Sequence, residues 1–472
     1  MRKTSRSNTL VSSLLAPAMI AGTLAVTLAG CPDREVAKVD PRQNREQEKE
    51  VPVQINRDID ILFVIDNSNS MREEQASLVA NFDNFINVLN NIEGGLPNVH
   101  IGVISTNIGA GTGGIAGCEN SGDNGLLQNT PRGACEAPTD RYIIDTGNED
   151  GSRTKNYTGE LTDTFSCIAE LGVSGCGFEQ PLESMRRALN GSQAQNNGFL
   201  RENAFLAVII ISDEDDCSVE DNGMFNTDAS QDRIDSELGF LSSFRCFEFG
   251  VQCDPDTPRS AGPRENCVPR ENSAYMYNVN EYANFLKTLK DDPGQIIVAG
   301  IIGPPSPVVI GSNNQDPQNP EPTLDPSCGV DDGAGQVADP SVRLTAFLEA
   351  FPNRNTTTTI CNDDLSDALT VIADLLAKVI GNPCMEGDLA LDEAGQPECS
   401  VSDVRNLNQD GQTETVIPQC NDAMDNLPCY HFVQDTEQCN IESSPTQLTL
   451  VIERGTADVA SNTTTVARCV AN

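Results

Sequence analysis

Basic charge is scarce in this sequence. Thirty Lys and Arg stand against 70 Asp and Glu, a formal net charge of −40 over 472 residues. A field of that sign repels nucleic acid and anionic headgroups, so no nucleic-acid partner is expected. It favours cations and basic partners, or serves simply as a solvated, aggregation-resistant exterior. Apolar residues are also sparse at 38%, and 37 Gly with 27 Pro imply that much of the length is loop. Only two histidines occur, His100 and His431, and no Cys-x-x-Cys pair is present. A zinc site therefore lacks ligands at usable spacing. Neither a Gly-x-Ser-x-Gly elbow nor a His-Glu-x-x-His motif is found, and neither histidine suits a general base beside a nucleophile. These absences predict that the chain is not an enzyme. Hydrolase chemistry by its many carboxylates is the least favoured reading.

What is present begins at the amino end. Arg2, Lys3 and Arg6 form a positive segment, Leu10 to Leu28 is mostly apolar, and Leu28-Ala29-Gly30-Cys31 resembles the lipobox of bacterial lipoproteins. The resemblance implies a signal peptide over 1–30 and lipidation of Cys31. The acyl chains would hold the exported chain on a membrane of the cell envelope, with the outer membrane favoured over the inner. Residues 31–57 read as the lipidated Cys and a flexible, charged tether.

With Cys31 reserved for lipid, 16 of the 17 cysteines remain, an even number in an exported chain. Disulfides are expected. Separation along the chain favours Cys167–Cys176, which would brace a short loop, with Cys118–Cys135 and Cys328–Cys361. Cys217, Cys246, Cys253 and Cys267 pair among themselves in one of three ways. Cys384, Cys399, Cys420, Cys429, Cys439 and Cys469 fall in the last ninety or so residues and staple a small module.

Between these ends, strand and helix patterns alternate. Ile59 to Ile65 is a nearly continuous apolar run, as a parallel strand covered on both faces requires. Residues 72–91 carry a helical stripe (Leu78, Val79, Phe82, Phe85, Ile86, Leu89). Val99–Ser105, Ala204–Ser212 and Gln295–Ile302 read as strands, and Tyr277–Lys290 and Leu365–Ile380 as helices. The expected fold is α/β, a doubly wound, mostly parallel sheet over 58–381. Its insertions lie near 107–160, 217–274 and 303–340 and are braced by disulfides. Residues 382–472 form a cysteine-rich β region with one clear strand, Gln447–Glu453, which Thr463–Ala467 is expected to join.

Directly after the first buried strand comes Asp66-Asn67-Ser68-Asn69-Ser70. A carboxylate and two hydroxyls at i, i+2 and i+4 on such a loop converge on one hard divalent cation, Mg²⁺ or Ca²⁺. At the carboxyl end of a parallel strand that loop faces the crevice where open α/β sheets bind ligands. Here the chain resembles the von Willebrand factor A family and its metal-ion-dependent adhesion site. The resemblance covers roughly 58–381 and extends to a group of secreted bacterial lipoproteins with cysteine-rich insertions. It implies two further contributions to the cation: a Thr in a Gly-rich loop, where Glu179 stands in Gly175-Cys176-Gly177-Phe178-Glu179, and an Asp ending the most apolar strand, Asp213.

Glu179 alters the chemistry that the family implies. Asp66, Glu179 and Asp213 would bring three negative charges to a divalent ion. That raises metal affinity and weakens attraction for an acidic ligand, unless Glu179 points to solvent and water takes its place. Asp215, Asp216, Glu220 and Asp221 form either a calcium subsite or a solvated acidic loop, the latter being favoured. The expected function is a cell-envelope lipoprotein that binds a divalent metal and mediates binding to a protein or glycan. The alternative is a structural or envelope-assembly subunit with a stabilising metal.

Overall fold

Apolar runs and amphipathic stripes become strands and helices in a computed structural model. It describes residues 50–470 apart from 93–94, 112–113, 120, 133–134, 149, 258, 291–292, 314–315, 317, 330–335, 353, 382–384, 386, 393–394, 408–410, 422, 437–438, 440–444, 456–458 and 461–462, with side chains from residue 57 onward. Residues 1–49, with the expected signal peptide, Cys31 and most of the tether, lie outside the described residues, as does Cys384. The elements run β1 (Glu50–Asn56), β2 (Asp58–Ile65), α1 (Arg72–Asn90), β3 (Asn98–Ser105), β4 (Ile143–Gly147), β5 (Arg153–Lys155), α2 (Leu161–Ala169) and α3 (Pro181–Leu189). They continue with β6 (Phe205–Ser212), α4 (Phe244–Gly250), β7 (Val251–Asp254), β8 (Gly262–Pro269), α5 (Val279–Lys287), β9 (Ile296–Ile302), β10 (Val308–Asn313) and β11 (Glu321–Asp325). Then come α6 (Val342–Glu349), β12 (Asn355–Thr359), α7 (Ser366–Gly381), β13 (Cys399–Arg405), β14 (Thr413–Ile417), β15 (Cys429–Gln434), β16 (Leu448–Glu453) and β17 (Thr463–Val470).

The fold is mixed α/β around a seven-stranded sheet of order β12-β9-β6-β2-β3-β4-β5. The first five strands are parallel and β4 and β5 run antiparallel. Strand β2 is buried along its whole length because both faces are covered. Ile59, Ile61, Phe63 and Ile65 face a core filled from α1, α2 and α7. Leu62 and Val64 face the opposite core, filled from α3, α5 and α6. Phe63, Phe82, Phe85 and Phe165 meet in one aromatic knot, with the Phe82 and Phe165 rings stacked at 3.6 Å. Burying each such side chain stabilises by about 1.5–3 kcal/mol, and the knot locks α1 and α2 onto β2. On the other face, a Cβ on Gly102 would lie 2.6 Å from Leu127 and 2.9 Å from Phe199, so glycine in β3 lets those side chains cross the strand.

Two of the expected loop insertions build a structure of their own. Strands β11, β10, β8 and β7, from the second and third insertions, form an antiparallel sheet around Phe244, Phe247, Val308 and Ile310. Exposed polar positions alternate irregularly along β8, which hides it from periodicity.

The C-terminal region holds more strand than the one expected. Strands β13, β14 and β17 form an antiparallel sheet with β1, in the order β1-β17-β13-β14, while β15 pairs with β16. Residues 463–470 therefore join β1 and β13 and not Leu448–Glu453, which correlates with the shared core of Val401, Ile417, Leu450 and Ala467. The last seven residues before Arg57, expected as tether, are the edge strand of this sheet. One residue, Arg57, separates β1 from β2.

Seven disulfides join described residues. Cys328–Cys361, Cys217–Cys246 and Cys253–Cys267 follow the expected pairing or one of the open alternatives. Cys399–Cys469 and Cys420–Cys429 staple the C-terminal region, where Cys439 is also disulfide-bonded. The remaining two correct the expectation: they are Cys118–Cys176 and Cys135–Cys167, not Cys118–Cys135 and Cys167–Cys176. Closure entropy grows only slowly with loop length, so nearness in sequence is a poor guide once an excursion folds back across the domain.

Candidate functional site

Three neighbouring parallel strands end level with one another. Ile65 of β2 pairs with Ser105 of β3 and with Ile211 of β6. The residues just beyond are Asp66, Thr106 and Ser212-Asp213, so polar side chains gather at one end of three mostly apolar strands. Asp66 is fixed from both sides. Its Oδ1 accepts from the Ser68 amide at 2.7 Å and its Oδ2 from the Ser212 hydroxyl at 2.7 Å. Ser68 and Ser70 hydroxyls lie 3.0 Å apart. Gln75 on α1 donates to the Asp66 carbonyl at 2.8 Å and clasps Gly172 through both its amide nitrogen and its oxygen.

The second loop is drawn in equally tightly. The Gly175 amide donates to the Asn67 carbonyl at 2.8 Å, and a Cβ on Gly175 would fall 2.1 Å from Asn67 Oδ1, so the contact requires glycine. Glu179 is fully buried and points inward: the Thr106 hydroxyl donates to its Oε2, and it lies beside Asp66. The Cys217 amide donates to the Glu179 carbonyl at 2.7 Å. Around Glu179, Cys118, Cys176, Phe178, Cys217, Phe225 and Cys246 form a small apolar core that roofs this side. Asn69 and Ser70 remain exposed on the other. The structure thus brings Asp66, Ser68, Ser70, Glu179 and Asp213 together.

The electrostatics are one-sided. Burial pushes the Glu179 carboxyl well above the usual carboxylate range, reinforced by the charges of Asp66 and Glu214. Burial, with Asp66 next, pushes Asp213 up to about 8. Asp66, Glu74 and Glu214 are raised for the same first reason. Among the described residues no Lys or Arg ion-pairs with any of these five. Three of their oxygens, Glu74 Oε2, Glu179 Oε1 and Asp213 Oδ1, are buried without a hydrogen-bond partner, as is Asn67 Oδ1.

Elsewhere the chain compensates its buried acids. Asp60 meets Arg201 at 2.7 Å, Asp216 meets Arg343 at 2.9 Å, and Asp145 meets Arg153 at 2.6 Å. Unpaired buried carboxylates cost several kcal/mol each in principle, and that cost vanishes when a cation sits among them. Among the described residues no three His, Cys, Asp or Glu side chains converge as a ready-made metal cage. The donor set here is of another kind, carboxylates mixed with the Ser68, Ser70 and Thr106 hydroxyls. These oxygen donors and orphaned atoms fit a hard divalent cation.

The acidic stretch after Asp213 divides between buried and solvated positions. Asp215 accepts from the Arg343 and Leu344 amides at the start of α6, and Asp216 is fully buried against Arg343. Only Glu220 and Asp221 face solvent. Sequence reasoning missed Thr106, Ser212, Glu74, Glu214 and Asp339. The first two are legible from strand register, since each ends a strand beside β2. Asp339, whose amide donates to the Asp213 carbonyl at 2.8 Å, comes from the third insertion and leaves no local signal.

No protein-family model matches the chain, and no curated protein matches it. Among solved structures it overlaps the pilus adhesin SpaC of Lactobacillus rhamnosus GG, with 12% identity, a TM-score of 0.32, and coverage of 89% of this chain and 41% of that one. It also overlaps the pilus adhesin RrgA of Streptococcus pneumoniae, with 12% identity, a TM-score of 0.25, and coverage of 89% and 58%. The chain spans about two fifths to three fifths of the length of these adhesins. Overlap at such scores is too loose to transfer a fold assignment or an activity.

Proposed function

We propose that this is an exported cell-envelope protein whose A-type, doubly wound domain binds a divalent cation and, through the surface around it, a protein or glycan. The observation that carries the reading is the group of five carboxylates at and beside the strand ends, four of them buried, which no Lys or Arg among the described residues ion-pairs and three of whose oxygens lack partners. Asp66, Ser68, Ser70, Thr106, Glu179 and Asp213 are the residues that would hold the ion. The ion would supply positive charge and free coordination positions for oxygen ligands. With Glu179 inside the site, neutral hydroxyl or carbonyl groups suit it better than a partner's carboxylate.

The disulfides support an oxidising compartment, and among the described residues no helix is long and apolar enough to cross a membrane. Lipid anchoring through Cys31 in the outer membrane belongs to the same proposal. So does the absence of enzymatic activity. His100 lies near the opposite end of the sheet, 3.7 Å from Asp60, and His431 bonds Glu453 in the C-terminal region, leaving no imidazole at the site.

A second reading is favoured by the burial of Asp66, Ser68 and Glu179, whose relative exposures are 0%, 4% and 0%. It is a cation that stabilises the domain and meets no partner. Calorimetric titration of Mg²⁺ and Ca²⁺ into wild type and Glu179→Thr tests the ion, and tighter binding by the wild type is expected. Weaker binding by wild type than by the Thr variant would sink the role given to Glu179. Capture of partners from envelope extracts, with and without EDTA, separates the two readings: a partner lost with EDTA supports adhesion, whereas a lowered Tm with unchanged partners supports the stabilising ion.

A further inference from the structure

The first turn of α1 carries two adjacent acids with opposite fates. Glu73 is exposed, as an acid complementing a helix N-terminus commonly is. Glu74 is 3% exposed, and its Oε2 is buried with no hydrogen-bond partner. The next residue, Gln75, bonds the Asp66 carbonyl, which fixes this turn directly against the strand-end cluster. The charge of Glu74 reaches Asp66 and Asp213. A carboxylate serving only the helix end gains nothing from burial against two more acids, so its position calls for a positive charge from outside the chain.

We propose that Glu74 belongs to the cation's shell and sets its affinity and its preference for Ca²⁺ over Mg²⁺. The proposal rests on the cation reading of the site. Glu74 comes from α1 and Glu179 from the loop before α3, so the two glutamates would reach the ion from different elements. An additional carboxylate suits Ca²⁺, which takes six to eight oxygens in flexible geometry, more than Mg²⁺, which holds to an octahedron and keeps several waters. Glu74 acts on the ion itself, directly or through a coordinated water.

The test is calorimetric titration of Ca²⁺ and of Mg²⁺ into the EDTA-stripped full chain, comparing wild type, Glu74→Gln and Glu73→Gln. Glu74→Gln should lower Ca²⁺ affinity about tenfold or more and Mg²⁺ affinity by less, shrinking the Ca²⁺/Mg²⁺ ratio, while Glu73→Gln stays within about twofold of wild type. A purely structural role would leave that ratio unchanged. Circular dichroism in EDTA checks that each variant folds. Should Glu74→Gln not fold, Glu74→Asp, which keeps the charge on a shorter stem, must still shift the ratio. Wild-type binding with an unaltered ratio in the Glu74 variants overturns the proposal and leaves the cation site standing. No binding by wild type overturns the cation site itself, and this inference with it.

Discussion

Strand β2 carries buried acids at both ends, and the two ends are built on opposite principles. At its start Asp60 receives the Arg201 amide and guanidinium, both at 2.7 Å, with the buried Lys290 ammonium 3.9 Å away. Asp58 accepts from Asn98 at 2.7 Å. At its finish Asp66 meets hydroxyls, an amide and more carboxylates, and no Lys or Arg among the described residues. On the proposed function, a fold that supplies counter-charge at one pole and withholds it at the other leaves the second pole to an external ion. The first pole is architecture; the second, on the same proposal, would be a receptor.

The comparison can be broken most directly at its architectural end. Arg201→Ala removes the main partner of a fully buried carboxylate and should destabilise by ~3–5 kcal/mol, read by chemical denaturation. A cost below about 1 kcal/mol would mean that the two poles do not differ as described. Next, Asp66→Asn should abolish cation binding. It should also raise stability in EDTA by ~1–3 kcal/mol, because one of the crowded acids is gone. Destabilisation in EDTA would count against uncompensated charge at this pole.

A smaller effect concerns pH. Burial, and then the charge of Arg201, lowers the His100 pKa to about 4 from an ordinary 6.5. Between these values the unfolded chain binds the proton and the folded chain does not, so this contribution to stability is complete above about pH 6.5 and is lost as pH falls towards 4. His100→Gln should flatten the slope of stability against pH in that window. Smallest of all, Glu220→Gln with Asp221→Asn should leave stability within about 0.5 kcal/mol and cation affinity unchanged, because both side chains face solvent beyond the site.

Much of the central sheet was legible because its signal is local. A strand covered on both faces must be apolar throughout, so Ile59–Ile65, Val99–Ser105 and Ala204–Ser212 announce themselves, and Asp66 and Asp213 are conspicuous as the first acids after two of them. What escaped depends on pairing over distance. Thr106 sits after a readable strand, but its meaning comes from the register of β3 against β2. Residues 50–56 look like tether because their partner, β17, lies about 410 residues downstream. The exchanged bridges among Cys118, Cys135, Cys167 and Cys176 fail for the same reason: the first insertion crosses the site before it returns. Asp215 and Asp216 looked solvated because nothing nearby in sequence foretells Arg343.

The junction at Arg57 has a mechanical consequence. Chain arriving from upstream passes along β1, through that one residue, and along β2 to Asp66. If the amino end were held and a ligand gripped at the proposed cation site, tension between them would enter the domain along this stretch of backbone. The C-terminal sheet is clamped beside that line through the pairing of β1 with β17. Under load it would act as a sleeve on a cable, and the cable ends at the site.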